Sequence, residues 1–325
     1  MSGKATKSAR AAAALVAALS PSAALGASPQ LEVAAESRTM IWNAVAVDHG
    51  RIFVAGPRWT GSTGPSVARI DEAGAAHPYP DAAWNDWRTG ADPRRAFVNV
   101  NALHRDTQGG LWVIDTGSPV FGGDPLPGGA KAVRIDLATN KVSRIYPLGR
   151  EVAGKGSYVD DIRFHGDHAY FTDAGRPGLI VLNLKTGAAR RVLDAHAAAT
   201  AGGRPIIVAG ETVMDPKGTP LKVNSDPMEV SPDGRWFYFG PLEGPWSRIE
   251  TRFLDDATLS ADALSGKVEP WADLPPMGGE VMDSNGDLYF SDLAESALKR
   301  RSADGTITTI IADPRFALGR CAFYR

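Results

Sequence analysis

The sequence predicts an all-β chain, a β-propeller of five complete four-stranded units followed by a short remainder. Three observations carry this reading. Five aromatic or aliphatic runs recur, each ending at a small or acidic residue. They are IFVAG (Ile52 to Gly56), LWVID (Leu111 to Asp115), AYFTD (Ala169 to Asp173), FYFGP (Phe237 to Pro241) and LYFSD (Leu288 to Asp292). A polar residue, an alternating stretch and a turn precede each run, and two further strand-like stretches follow it. Aligning Phe53, Trp112, Tyr170, Tyr238 and Tyr289 gives spacings of 59, 58, 68 and 51. Self-similarity at such a period marks a radial or solenoid array.

In chain order the first element is a leader. Lys4, Lys7 and Arg10 form a positive flank, Ala11 to Leu19 an apolar stretch, and Ala24-Leu25-Gly26-Ala27 a small-residue cleavage region. This predicts a signal peptide over 1–27, a propeller over 28–325, and a secreted or periplasmic protein. The apolar stretch is too short for a bilayer core of about 30 Å, and no other segment is long and apolar enough. No membrane association is therefore expected.

The units then follow. Asn43 leads into AVAVDHG, Asn101 into ALHRDTQGG, Asp161 into IRFHGD, Asp226 into PMEVSPDG, and Gly278-Gly279-Glu280 into VMDSNGD. Turn residues between two strand-like runs read as hairpins. The third and fourth strands lie in Ala132 to Leu148, Leu179 to Leu193 and Leu298 to Ile311, for example. Four antiparallel strands per unit make a propeller blade. Period-2 alternation prevails, and helix-like composition outside the leader is confined to Asp194–Thr200 and Asp256–Leu264. A β-sandwich of similar strands would not require the repeat. A sixth anchor would fall beyond Arg325, so Ala312 to Arg325 is a stub.

Composition sets limits on partners. With 325 residues, 43% hydrophobic and 22% charged, the chain is of ordinary globular type. A net charge of −2 without a basic cluster argues against nucleic acid. Cys321 is the only cysteine, which excludes an intrachain disulfide and cysteine-based metal sites.

Aligning the units places Asn43, Asn101, Asp161, Asp226 and Gly278 at one equivalent position beside a central channel, with Asp160 and Glu280 as near neighbours. Alternation sets Glu280 on the strand face of Gly278. Asn43, Asn101, Asp160, Asp161, Asp226 and Glu280 are thus the ligand-binding candidates. Hard oxygen donors suit a divalent cation such as Ca²⁺, with Zn²⁺ a further candidate, and Asn101, Asp161 and Asp226 are its candidate ligands. The same residue types also cap strand starts and turns. His165 and His168 match no metal-binding spacing, Gly122 to Gly129 reads as a loop, and Asp283 to Asp287 reads as a β-turn. No GxSxG elbow is present. Trp59, Trp84, Trp87 and Trp246 either line a funnel or pack between blades.

Several stretches together resemble the royal-jelly/Yellow family. RIFVAGPRW (Arg51 to Trp59) and HPYPDAAWN (His77 to Asn85) are similar to its first blade. LWVIDTG (Leu111 to Gly117) and AVRIDLATNKVSRIYPL are similar to its second. SYVDDIRF (Ser157 to Phe164) with AYFTDAGRPGLIVLNLKTG (Ala169 to Gly187) is similar to its third. VSPDGRWFYFGPL (Val230 to Leu242) and EVMDSNGDLYF (Glu280 to Phe290) are similar to its fourth and fifth. The resemblance implies a six-bladed propeller, related in architecture to gluconolactonase-like propellers, with Asp313 to Arg325 standing where a truncated sixth blade begins. A chain lacking that blade is expected to be marginal in stability, or to self-associate through the open edge. The resemblance further implies a secreted protein that binds or converts a small molecule at the central channel, aromatic or catechol-like in the Yellow type. The alternative is a metal-dependent lactonase of gluconolactonase type, whose early Gly-Glu-Gly-Pro element has no match beyond Glu36.

Overall fold

Each blade begins with a hairpin whose turn the sequence dictates. In the first, His49 and Gly50 take φ of 47° and 80°, the two positive values that a two-residue type I′ turn needs. That turn joins β1 (Ala44–Asp48) to β2 (Arg51–Ala55), and β3 (Val67–Ile70) and β4 (Ala76–Pro78) complete the sheet. The second sheet holds β5 (Val100–Arg105), β6 (Gly110–Asp115), β7 (Lys131–Asp136) and β8 (Lys141–Pro147). The third holds β9 (Val159–His165), β10 (His168–Asp173), β11 (Leu179–Asn183) and β12 (Ala189–Val192). After a short hairpin, β13 (Ile207–Val208) and β14 (Glu211–Thr212), comes the fourth, with β15 (Ser225–Val230), β16 (Trp236–Pro241), β17 (Trp246–Glu250) and β18 (Glu269–Ala272). The fifth holds β19 (Met277–Met282), β20 (Leu288–Asp292), β21 (Ala297–Arg301) and β22 (Ile307–Ala312). All five are antiparallel meanders in chain order, and the five sequence anchors fall on their second strands.

This computed structural model describes residues 29–316, so the leader read over 1–27 and most of the C-terminal stub lie outside the described residues. The five blades all belong to one compact unit, which begins at Glu32. Five four-stranded sheets make an all-β propeller, and the described residues contain no sixth four-stranded sheet. No helix among them is long and apolar enough to cross a membrane. Helix is confined to short turns, including Ala197–Ala199, Thr251–Asp255 and Ala261–Ser265, close to the helix-like stretches in the sequence.

The cores lie between blades, because alternate residues of one strand face opposite neighbours. On β6, Leu111 and Val113 pack toward the first blade with Phe53, Val67 and Tyr79. Trp112 and Ile114 pack toward the third with Ile162, Phe171 and Ile180. Tyr170 and Phe237 join the third blade to the fourth, and Tyr238, Trp246 and Phe290 the fourth to the fifth. The innermost strands pack side by side in the order β1, β5, β9, β15, β19. Among the described residues β19 and β1 do not pack against each other as closely as these neighbouring pairs do.

A buried carboxylate ends the second strand of three blades. Asp115 lies 2.6 Å from Lys131 Nζ, both fully buried, and accepts from the Val98, Asn99 and Gly117 amides. Asp173 pairs with Arg191 at 2.7 Å and accepts from the Tyr158, Gly175 and Arg176 amides. Asp292 pairs with Lys299 at 2.7 Å and accepts from the Ala294 and Glu295 amides. In the second and third blades some of these amides, those of Val98 and Asn99 and of Tyr158, belong to the segment that enters the innermost strand.

Between the third and fourth blades, residues 193–224 leave the ring. Ile206 and Leu221 form a small core with Leu293 of the fifth blade, and Phe121 and Leu242 pack against it. Asn224 fastens the base of this excursion, donating to Gly175 O at 2.7 Å and accepting from Ala201 N at 3.1 Å.

Asp115→Ala leaves the Lys131 ammonium buried without its carboxylate and frees three amide donors. The expected loss is about 3–5 kcal/mol of unfolding free energy, typical of removing one partner of a buried pair, read by urea denaturation. A loss indistinguishable from that of a surface Asp→Ala control refutes the role given to the pair.

Candidate functional site in the central channel

The channel residues stand where the innermost strands are irregular. In four blades the register slips near the start of the first strand: between Val100 and Ala102, Val159 and Ile162, Ser225 and Met228, and Met277 and Glu280. Each slip is a β-bulge, which turns side chains out of the simple alternation and recurs beside functional sites. The first bulged residues are Asn101, Asp160, Asp226 and Gly278. Asp160, and not Asp161 as the sequence alignment has it, is therefore the equivalent of Asn101 and Asp226. The bulge adds a residue that counting by twos cannot register.

A polar row follows from this register. Asn43 Nδ2 donates to Asn101 Oδ1 at 3.0 Å, and Asn101 Nδ2 donates to the Asp160 carboxylate. Tyr158, just before β9, donates from its hydroxyl to Asn101 Oδ1 at 2.9 Å, and Trp59 Nε1 donates to that hydroxyl at 3.3 Å. Burial raises the Tyr158 phenol, which stays protonated and serves as a donor.

Three residues beyond the first three of these bulges lies a second row: His104, Arg163 and Glu229. Arg163 is its centre. It donates from Nε to Glu229 Oε1 at 3.0 Å and from one terminal nitrogen to Asp161 Oδ2 at 2.5 Å. Its other terminal nitrogen lies 3.5 Å from Glu280 Oε1, which also accepts from Met228 N at 3.1 Å. His104 Nδ1 is 3.4 Å from the guanidinium. Burial opposes the charge of Arg163, but Asp161, Glu229 and Glu280 hold it protonated above its ordinary value. Glu280 thus reaches the channel cluster by way of the bulge at Gly278–Gly279.

Acid outweighs base in this cluster. Burial first, and then the repulsion of Asp226, Asp161 and Glu280, raise Asp160 well above the carboxylate range. Burial and Asp161 push Asp226 up to about 7. Burial, with Glu229 and Asp161 adding repulsion that Arg163 only partly offsets, brings Glu280 to about 8. Burial also raises Glu229. Burial and the neighbouring guanidinium lower His104 to about 4, so its ring is neutral at physiological pH.

The cluster opens on a cavity of about 2460 Å³, which Trp42, Trp59, Phe121, Tyr158 and Tyr289 also line. Trp59 packs against Phe121 with ring centroids 4.7 Å apart and the rings tilted by 50°. Of the four tryptophans singled out in the sequence, only Trp59 lines this cavity. Trp84 packs on Phe97, while Trp87 and Trp246 are buried.

The oxygen donors read as metal ligands are largely engaged. Asn101 Oδ1 accepts two hydrogen bonds, and the two Asp161 oxygens accept from Ile162 N and Arg163. Among the described residues no group of three or more His, Cys, Asp or Glu side chains is arranged to hold a metal ion.

Sequence reasoning missed Arg163, His104, Glu229 and Tyr158. The signal for three of them lay in the repeat, because each sits three residues after Asn101, Asp160 or Asp226.

A family model described as Major royal jelly protein matches residues 98–310. No curated protein sequence matches the chain. Among solved structures, a streptogramin B lyase is 14% identical with a TM-score of 0.45, the match covering 82% of this chain and 66% of that one. The extracellular domain of a protein provisionally assigned as a hybrid two component system, from B. thetaiotaomicron, is 13% identical with a TM-score of 0.44, covering 84% and 31%. A protein from Bacteroides uniformis ATCC 8492, provisionally assigned as a 6-phosphogluconolactonase, is 14% identical with a TM-score of 0.42, covering 82% and 68%. This chain spans less than two thirds of the length of either of the first two.

Asp226 and Glu280 keep protons in the folded chain at pH values where the unfolded chain, with ordinary values of 3.8 and 4.5, has released them. Unfolding there releases protons, so stability falls as pH rises through about 7 and about 8. His104 acts in the opposite sense, and only below its ordinary 6.5. Unfolding free energy is therefore expected to decline between roughly pH 6.5 and 9, with a shallower slope in the Asp226→Asn/Glu280→Gln double variant. Urea melts across that range test it, and equal slopes in the two proteins refute the account.

Proposed function

Because this chain belongs to the major royal jelly protein family, we propose that its propeller binds a small organic cation, an aromatic amine in the simplest case, in the central channel. The observation that carries this reading is the convergence of Asp160, Asp226 and Glu280, from three different blades, on one aromatic-rimmed cavity. Their raised values mean that each resists ionising beside the others. Arg163 is already shared among Asp161, Glu229 and Glu280 and cannot neutralise the rest. A ligand ammonium would supply the missing charge and draw protons off the acids, while Trp59, Tyr158 or Tyr289 faces its ring. We read the chain as exported, from its leader, and its ring as the six-bladed type.

A divalent cation, as a lactonase of gluconolactonase type would need, competes for the same acids. Asp226 is the sequence-derived ligand whose carboxylate would remain for it, since Asn101 and Asp161 are engaged. The aromatic rim and that engagement favour an organic cation.

The test compares phenethylamine with its neutral analogue phenethyl alcohol by calorimetry. The amine is expected to bind at least about tenfold more tightly, a difference of about 1.4 kcal/mol. Its affinity should rise between roughly pH 6 and 8 as the acids release protons, and fall in Asp226→Asn and Glu280→Gln. Equal binding of the alcohol, or affinity flat with pH, overturns the proposal. Thermal stabilisation by Ca²⁺ or Zn²⁺ that disappears in Asp226→Asn, with no amine binding, puts the metal reading in its place.

A further inference from the structure

We infer that the channel takes a diamine, with one ammonium at Asp160 and the other at Asp226. The inference rests on the channel reading above and deepens it from one charge to two. It starts from where the bulges put the acids. Asp160 and Asp226 are the first bulged residues of β9 and β15, equivalent positions on innermost strands that pack side by side. Both line the same cavity. Neither has a cation of its own. Arg163 pairs with Asp161, Glu229 and Glu280 at 2.5, 3.0 and 3.5 Å, and reaches no other carboxylate among the described residues. Asp160 accepts from the Asn101 amide, a neutral donor. No hydrogen bond or ion pair reaches the Asp226 carboxylate among the described residues, although its backbone carbonyl accepts from Thr172 Oγ1 at 2.8 Å. Lys217 and Lys222, the remaining cations on the cavity wall, lie exposed on the excursion and pair with none of these acids.

The balance of charge decides between one ammonium and two. Asp160, Asp161, Asp226, Glu229 and Glu280 share a single permanent cation, Arg163, since the His104 ring is neutral. The free channel answers this imbalance with protons: burial first, and then repulsion between carboxylates, holds Asp160 and Asp226 well above the carboxylate range. One ammonium replaces one of those protons and leaves the other carboxyl still repelled by its neighbours. Two ammonium groups, one at each carboxylate, replace both, because an opposite charge within about 4–6 Å favours the ionised form. An α,ω-diamine carries its charges at the ends of an apolar chain, and the rings of Trp59 and Tyr158 on the same cavity wall suit the methylenes between them. A divalent metal ion concentrates the same charge at one point, whereas these two acids stand on separate strands.

The experiment titrates the full chain by calorimetry with cadaverine and with pentylamine, which has a methyl group in place of the second ammonium. Cadaverine is expected to bind at least about tenfold more tightly, the reverse of the order that apolar burial alone gives. Repeating the titrations at about pH 6.5 in two buffers of different ionisation enthalpy counts the protons released, and cadaverine should release about twice as many as pentylamine. Asp160→Asn and Asp226→Asn, checked for folding by urea melts, should each cost cadaverine at least about tenfold more than they cost pentylamine. The proton count needs neither variant. Cadaverine binding no tighter than pentylamine, or equal proton release by the two, overturns the inference and leaves the channel reading intact where phenethylamine binds. A cadaverine advantage that survives both substitutions places the second ammonium elsewhere and also overturns it. Failure of phenethylamine, pentylamine and cadaverine alike refutes the channel reading itself.

Discussion

The ring depends on the buried carboxylate at the end of the second strand. Asp115 and Asp173 sit where a chain leaving the hairpin and a chain entering the innermost strand pass each other. Each holds amides from both, with a cation beneath it. A backbone N–H buried without a partner is costly, so the carboxylate fixes the path of the incoming segment and the residue at which regular pairing begins. The bulges follow directly after. Were those segments free to slide by one residue, Asn101 and Asp160 would turn away from the channel, since a one-residue slip exchanges the two faces of a strand.

The same irregularity explains how so much acid comes together. Regular alternation from five strands would send every second side chain into an interblade core. The bulges release one or two residues per strand from that rule, and those released are Asn101, Asp160 with Asp161, and Asp226. Arg163 is what makes the assembly tolerable. It binds three carboxylates while itself almost fully buried, and the acids beyond its reach take up protons instead.

Most of the architecture was legible because it repeats. The five aromatic runs, their preceding hairpins and their charged outer strands mark out the five sheets in order, and turn residues such as His49-Gly50 mark the joints. The family resemblance rests on stretches that fall largely within the matched region, 98–310. The channel was legible only to the nearest residue. Asn43, Asn101, Asp160, Asp226 and Glu280 do meet there. Asp161 lines the cavity as well, one residue beyond the equivalent position and with a carboxylate oxygen on Arg163, because a bulge leaves no trace in a pattern of alternating polarity. Arg163 and Glu229 escaped notice for a related reason: in a strand segment a charged residue reads as facing solvent, and only the assembled ring buries it. The excursion over residues 193–224 carries no repeat, and nothing in its composition announces that it packs on Leu293 and Phe121.

The meander order of the sheets also bears on how the chain reaches this state. Every sheet is built from four consecutive strands, and the innermost strands touch in sequence order, so the ring is a linear array bent round on itself. In such an array stability is close to a sum of unit and neighbour terms, and structure can spread from one unit to the next. Closure between the last and first units would make all of them melt together. Among the described residues β1 and β19 each pack closely against one innermost strand, while β5, β9 and β15 each pack against two, so fraying is expected to start at the two ends and move inward. The channel cluster draws most heavily on the third and fourth blades, the part of the array that such fraying reaches last.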